Sequence, residues 1–254
     1  MKEKILELLN EIEQQYSIHI LYACELGSRV YGYNQAQSDY DIRFIFTHPI
    51  KKYLGIYRIT ETIEMKKGEI ELHGWELKKA MKLSLKSNPS LAEWLNSSII
   101  YKETTPFREE LQHIVETSYS RVTLIKHYAG IFQKNIQRSE NISTYKQIKS
   151  FLHGLRSLLC INYIVKKKDI PPVELEHLLI IMDEEELKTN IKSFIEKVKD
   201  RKIINEKEFF ILRDQSVTFF NKLQNEFKKF EHIVPSIELL NDFVLKWLWE
   251  KREF

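Results

Sequence analysis

Cysteine is almost missing from this 254-residue chain, with Cys24 and Cys160 the only two. Two thiols rule out a disulfide scaffold and a cysteine-rich zinc module. Cys24 lies in an apolar run and Cys160 in a helical pattern, which assigns both to the core. Long apolar runs are missing too. No stretch approaches the roughly 18 apolar residues that a membrane span needs. The opening Met1 to Glu13 is charged and amphipathic, without a continuous apolar stretch. No signal peptide is therefore expected, and a reducing cytoplasm is the expected location. Glycine is scarce, with 7 residues and none after Gly154. Turns and strands are expected early, and the last hundred residues are expected to be helical.

Charge is nearly balanced overall, 39 Lys and Arg against 36 Asp and Glu, a net +3. Locally it is not. Between Arg121 and Ile170 stand Arg121, Lys126, Lys134, Arg138, Lys146, Lys149, Arg156, Lys166, Lys167 and Lys168, opposed only by Glu140 and Asp169. Such a stripe suits a polyanion, a nucleoside triphosphate or RNA. A solvated helix face explains any one of these lysines equally well.

The apolar spacing of Ile5, Leu8, Leu9 and Ile12 predicts an opening amphipathic helix. Strands are predicted at Ile18 to Glu25, Ser38 to Phe46, Ile56 to Glu64 and Glu69 to His73, with Lys67-Gly68 as the turn before the last. Trp75 to Leu85 returns to helical period and stops at Ser87-Asn88-Pro89; Leu91 to Leu95 is a short helix. From Pro106 onward helix follows helix: 106–119, 122–137, 144–167, 172–181, 184–198, 206–230 and 235–249. The expected fold class is α+β: a mixed sheet with helices over residues 1–104, then an all-helical C-terminal domain over 105–254.

The stretch that carries chemistry is Glu25-Leu26-Gly27-Ser28-Arg29-Val30-Tyr31-Gly32, then Ser38-Asp39-Tyr40-Asp41-Ile42-Arg43. A strand runs into Gly-Ser, ten residues intervene, and Asp-x-Asp opens the next strand. Gly27 lets backbone N–H groups approach phosphate oxygens with no Cβ in the way, and Ser28 adds a hydroxyl donor. Alternate strand residues share a face, so Asp39 and Asp41 point the same way. Two carboxylates side by side repel unless a cation joins them, and hard oxygen ligands favour Mg²⁺ or Mn²⁺. Tyr40, Ile42, Phe44 and Phe46 are expected on the opposite face.

This pattern resembles the DNA polymerase beta superfamily of nucleotidyltransferases, whose signature is Gly-Ser, a short spacer and Asp-x-Asp. Within it, the chain is similar to the YcgL/RlaP-like predicted nucleotidyltransferases. Gly27-Ser28-Arg29 with Gly32, Ser38 to Arg43, Gly74-Trp75-Glu76-Leu77-Lys78-Lys79-Ala80, Lys86-Ser87-Asn88-Pro89 and Glu93-Trp94-Leu95 carry the likeness. His127-Tyr128, Lys149, Leu155-Arg156 and Pro171 to Glu174 extend it. The resemblance implies a polymerase-beta-like catalytic domain, a helical C-terminal part and metal-dependent transfer of a nucleoside monophosphate; a link to RNA repair is weaker.

The superfamily takes a third acid from a neighbouring strand, commonly Asp in this subfamily. Here that strand reads Glu69-Ile70-Glu71-Leu72-His73. Glu69, Glu71 and His73 share one face, and Glu71 is the chosen general base or metal ligand, with Glu69 and Glu76 as alternatives. Arg29 suits a triphosphate contact or a salt bridge to Asp39 or Glu25. Arg43 suits the leaving pyrophosphate or neutralisation of a carboxylate. His127 suits packing or nucleotide binding. Lys149 and Arg156, seven apart, share a helical face suited to clamping phosphates. Trp75, Trp94, Trp247 and Trp249 read as core or interface anchors, and Trp75 alternatively stacks on a base.

The expected function is transfer of a nucleoside monophosphate from an NTP, ATP before the others, to an acceptor hydroxyl with release of pyrophosphate. Asp39, Asp41 and Glu71 would be catalytic and would hold Mg²⁺ or Mn²⁺. The acceptor is an RNA 3′ end, a protein or a small molecule. The alternative is a nucleotide- or RNA-binding module of the same fold that has lost turnover. No membrane partner is expected.

Overall fold

The computed structural model describes residues 1–56, 58–140 and 142–250. In chain order the first elements are α1 (Lys2–Tyr16), β1 (His19–Leu26), α2 (Ser28–Tyr31), β2 (Tyr40–Thr47), α3 (Ile50–Leu54), β3 (Thr62–Lys67) and β4 (Ile70–Glu76). Then come α4 (Leu77–Ser84), α5 (Pro89–Leu95), β5 (Ile100–Glu103), α6 (Phe107–Ser118) and α7 (Arg121–Arg138). The rest is helical: α8 (Tyr145–Lys167), α9 (Leu175–Ile180), α10 (Glu185–Lys199), α11 (Glu206–Gln224), a 3₁₀ turn (Phe227–Lys229) and α12 (Ile237–Glu250). The chain divides into two compact units, one of Met1–Val30, Ser38–Tyr119 and Val234–Phe254, the other of Tyr31–Gln37 and Ser120–Ile233.

The first unit is built on a mixed sheet with strand order β3-β4-β2-β1-β5. β2 and β4 run parallel, and the other neighbours are antiparallel. The sheet buries one face against α1. Ile5, Leu8, Leu9 and Ile12 pack there with Ile20, Ala23, Ile42, Phe44, Phe46, Ile63, Ile70 and Leu72. This is what a helix of period 3.6 and strands of period 2 require when both are amphipathic. Tyr40 is only partly buried against this core. Gly74 stands opposite Phe44 in the β2–β4 pair, and a Cβ on it would come within 2.2 Å of the Phe44 ring. Gly74→Ala should therefore cost about 1–3 kcal/mol by overpacking, read as a lower urea midpoint at unchanged slope. An unchanged midpoint would show that the ring moves freely.

The second unit is helical. α7 and α8 pack along one another. Ser120 caps α7 by accepting from Thr123 N–H, and a Thr144–Gln147 capping box starts α8. Phe151 of α8 meets Phe194 of α10 and Phe209 of α11 edge-on. Cys160 on α8 is fully buried, as is Cys24 on β1.

Several expected bounds are corrected, and one strand is added. The third strand starts at Thr62, not Ile56; Ile56 is exposed, and Tyr57 lies outside the described residues. Strand pairing begins where Thr62 meets Trp75, so the β-prone Ile59 and Thr60 just before it belong to no strand. Trp75 and Glu76 complete β4 rather than opening α4, whose N-cap is Glu76. β5 was not expected: it is four residues long and owes its existence to pairing with β1. The helix expected from Glu206 to Phe230 stops at Gln224.

Candidate active site

The face of the sheet away from α1 carries charge. Strand alternation places Asp41, Arg43 and Ile45 of β2 there, beside Glu71, His73 and Trp75 of β4 in direct register. β3 continues each row, with Lys66 opposite Glu71, Glu64 opposite His73 and Thr62 opposite Trp75. One row therefore reads Asp41, Glu71, Lys66 and the next Arg43, His73, Glu64. Charge changes sign along β2 and β3, while the first row sets two carboxylates side by side with Lys66 beyond them. Arg43 Nη2 lies 3.1 Å from Asp41 Oδ1, Lys66 Nζ 2.5 Å from Glu71 Oε1, and His73 Nδ1 3.1 Å from Glu64 Oε1. A cavity of about 360 Å³ opens here, lined by Arg43, Glu64, Met65, Lys66, Glu71, Leu72 and His73.

Trp75 closes the far end of this face. It stacks on Trp94 with ring centroids 3.8 Å apart and donates its indole N–H to His73 Nε2 at 2.8 Å. Both indoles are buried, so Trp75 is a core residue here rather than an open stacking platform. The indole bond leaves the ring proton of neutral His73 on Nδ1, toward Glu64. Burial, helped by Arg43, holds His73 below the usual histidine range.

Gly27 has φ +73, and a Cβ on it would come within 2.0 Å of Asp41 Oδ2. The turn after β1 thus rests directly on the Asp41 carboxylate, which is possible only for glycine. Arg29 ties the same turn to the approach of β2. Its Nη2 donates to Ser38 O at 2.7 Å, its Nε to Asp39 O at 3.3 Å, and its guanidinium lies 3.7 Å over the Tyr40 ring. It binds main-chain carbonyls, not the carboxylates of Asp39 or Glu25 weighed for it. Arg43, by contrast, does neutralise a carboxylate. Ser28 opens α2 and is half-buried.

The side chain of Asp41 is 24% exposed and that of Asp39 45%. Burial raises Asp41 above the ordinary aspartate range, and the negative charges of Glu71 and Asp39 add to this, against the pull of Arg43. Lys66 stands 4.0 Å from Asp39 as well as against Glu71. Three carboxylates crowding one another is the electrostatic setting a divalent cation relieves. Their hard oxygens suit Mg²⁺ or Mn²⁺. Among the described residues no three His, Cys, Asp or Glu side chains already converge as a metal cage; Arg43 pairs with Asp41 and Lys66 with Glu71. Lys66 is 58% exposed, so its hold on Glu71 is weak. Asp39, Asp41 and Glu71 thus offer oxygen donors of the kind a divalent cation takes.

The two alternatives to Glu71 sit elsewhere. Glu69 is exposed and precedes β4; its backbone oxygen accepts from Tyr40 N–H at 2.7 Å. Glu76 is 1% exposed, caps α4 through Lys79 N–H at 3.2 Å, and accepts the Tyr53 hydroxyl at 2.6 Å.

Gly27, Ser28, Arg29, Asp39, Asp41, Arg43 and Glu71 all belong to the first unit; His127, Lys149 and Arg156 belong to the second. His127 is exposed on α7. Lys149 is exposed, its ammonium 5.2 Å over the Tyr145 ring. Arg156 is buried, its Nε donating to Val173 O at 3.2 Å and its guanidinium 4.1 Å over Tyr31. The seven-residue spacing therefore hides a difference: one cation is exposed and the other is built into the unit.

The sequence puts His73 on the face of Glu71 and gives no role to Lys66. Lys66 carries no signal, since only strand pairing sets it opposite Glu71.

A family model described as RlaP, RNA repair pathway DNA polymerase beta family, matches residues 1–246. The uncharacterized protein YcgL of Bacillus subtilis (strain 168) is 34% identical over 199 residues, covering 78% of this chain and 76% of the relative. The crystal structure of a nucleotidyltransferase-like protein from Exiguobacterium sibiricum 255-15 aligns with TM-score 0.32 and 10% identity, over 98% of this chain and 81% of the other. That last likeness is too low to support structural inference. Among the described residues no helix is long and apolar enough to cross a membrane.

Proposed function

Because the chain belongs to the RNA repair pathway DNA polymerase beta family, we propose that it transfers a nucleoside monophosphate from an NTP to an acceptor hydroxyl and releases pyrophosphate. The observation that carries this reading is the register of Asp41 beside Glu71 on parallel strands, with Gly27 packed against the Asp41 carboxylate.

Asp39, Asp41 and Glu71 would hold Mg²⁺ or Mn²⁺, which when bound supplies charge neutralisation at the α-phosphate and lowers the pKa of the acceptor hydroxyl. The chain's own residues do the rest. The Gly27-Ser28 turn offers backbone N–H groups and a hydroxyl to phosphate oxygens. Arg29 keeps that turn at a fixed distance from Asp39 through the Ser38 and Asp39 carbonyls. Arg43 balances Asp41 before substrate arrives. The acceptor oxygen attacks the α-phosphorus, its proton passes to a Glu71 carboxylate oxygen, and the bond to the β-phosphate oxygen breaks as pyrophosphate leaves. The family description favours an RNA 3′ end as acceptor, ahead of a protein or small-molecule hydroxyl.

The test is incubation with each NTP labelled at its α-phosphate, Mg²⁺ or Mn²⁺, and either total RNA or protein extract. Covalent label on RNA, lost in Asp39→Ala and Asp41→Ala, is the expected result. Label on protein would keep the chemistry and change the acceptor. Reversible nucleotide binding without any transfer would replace the enzyme by a binding module.

A further inference from the structure

Glu25 has no part in the transfer just described, yet it is one of the most deeply buried charged residues in the first unit, 1% exposed at the end of β1. Burying a carboxylate is costly unless its oxygens are hydrogen-bonded. Both oxygens of Glu25 are. Oε1 accepts the backbone N–H of Asp41 at 3.3 Å, and Oε2 accepts the hydroxyl of Tyr101 on β5. The backbone of Glu25 is itself held. Its N–H donates to Ile99 O at 2.9 Å, and its carbonyl accepts the Ser97 hydroxyl at 2.6 Å. Two residues on, Gly27 lies against the Asp41 carboxylate. The end of β1 therefore touches Asp41 twice, at its amide through Glu25 and at its carboxylate through Gly27.

We infer that Glu25 is a positioning residue for Asp41, pinning its backbone so that the carboxylate is aimed out of the sheet, with Tyr101 as the anchor that keeps Glu25 itself from turning. A polar side chain placed behind a ligating residue commonly matters almost as much as the ligand, costing about 10- to 100-fold in metal affinity when removed. An apolar residue at this position would fill the space and leave both the Asp41 amide and the Tyr101 hydroxyl without their present acceptor. The functional consequence rests on the transfer reading above, whereas the pin can be measured without it.

The test uses the full-length chain with Glu25→Ala, Glu25→Gln and Tyr101→Phe. Amide hydrogen exchange by NMR reads the pin directly. In Glu25→Ala the Asp41 amide should exchange about tenfold faster, the scale of losing one hydrogen bond to a charged acceptor, while Phe44 and Phe46 amides stay as they are. Mn²⁺ affinity, by paramagnetic resonance without nucleotide, should fall about 10- to 100-fold. Glu25→Gln keeps an oxygen for the Asp41 amide and should restore both readings to within about threefold. Unchanged Asp41 exchange in a folded Glu25→Ala protein overturns the proposal, as does a loss that Gln fails to restore, which would mark general damage to the β1–β5 packing. If Glu25→Ala does not fold, Tyr101→Phe decides: faster Asp41 exchange supports the anchor, and unchanged exchange overturns it. Should the wild type and Asp41→Ala bind Mn²⁺ equally weakly, the metal reading fails, and the exchange data still judge the pin.

Discussion

Asp41→Asn should lower nucleotidyl transfer by about a thousandfold or more while making the folded protein more stable at neutral pH. The rate loss follows from removing one of the charges that neutralise the reacting phosphate, an effect worth several kcal/mol, where each ~1.4 kcal/mol is a factor of ten. The stability gain follows from the native environment. Burial and the neighbouring Glu71 and Asp39 raise Asp41 above its unfolded range, so the folded state holds the proton more tightly than the unfolded chain does. A raised acid makes the fold lose stability as pH climbs from the unfolded pKa through the folded one. Asparagine has no proton to lose and escapes that loss. The stability advantage of Asp41→Asn should therefore be present at pH 7 and vanish below the ordinary aspartate range, near 3.8. Denaturant midpoints at pH 7 and at pH 3 measure it. A well-folded variant with near-wild-type turnover would sink the mechanism. A variant less stable at pH 7 would show that the Arg43 ion pair outweighs burial.

Glu71→Gln should reduce transfer by at least about a hundredfold, the lower end of what loss of a general base costs, with nucleotide binding affected much less. Glutamine keeps the shape and removes the proton acceptor. It also releases Lys66, whose ammonium pairs with Glu71 in the free protein. Two neighbouring glutamates give the contrast. Glu69 is exposed and lies before β4, and its contact with Tyr40 uses its backbone oxygen; Glu69→Gln should change rate and binding by less than about threefold. Glu76 caps α4 and accepts the Tyr53 hydroxyl. Glu76→Ala should cost on the order of 1–2 kcal/mol of stability and affect rate only through folding. Single-turnover rates beside nucleotide Kd values separate the three. A mild Glu71→Gln beside a crippling Glu69 or Glu76 variant would assign the third carboxylate elsewhere and leave the two aspartates standing.

Much of the first unit was legible because its signals are local. Ile5, Leu8, Leu9 and Ile12 announce a helix, Ile70 and Leu72 announce the buried face of β4, and both readings survive in the core. The Gly27-Ser28 turn and Asp-x-Asp are short patterns whose chemistry needs no distant partner to be recognised. Ile56 misled because β propensity says nothing of whether a neighbour strand is present, and β5 escaped because four residues carry too little pattern. Arg29 suits a phosphate or a carboxylate by its charge, yet its contacts in the free protein are the carbonyls of Ser38 and Asp39, and backbone groups are alike in every sequence.

The sequence by itself determined the class of fold, the mixed sheet followed by helices, and the family, because periodicity, glycine placement and motif spacing are properties of neighbours along the chain. Only the tertiary structure decided that Glu71 stands beside Asp41 while Glu76 caps a helix, that Lys66 closes the carboxylate row, that Glu25 reaches the Asp41 amide, and that α12 belongs with the first unit. Register and burial come from pairings between segments far apart in the chain. A one-residue slip in β4 would move every side chain to the other face without altering any local pattern.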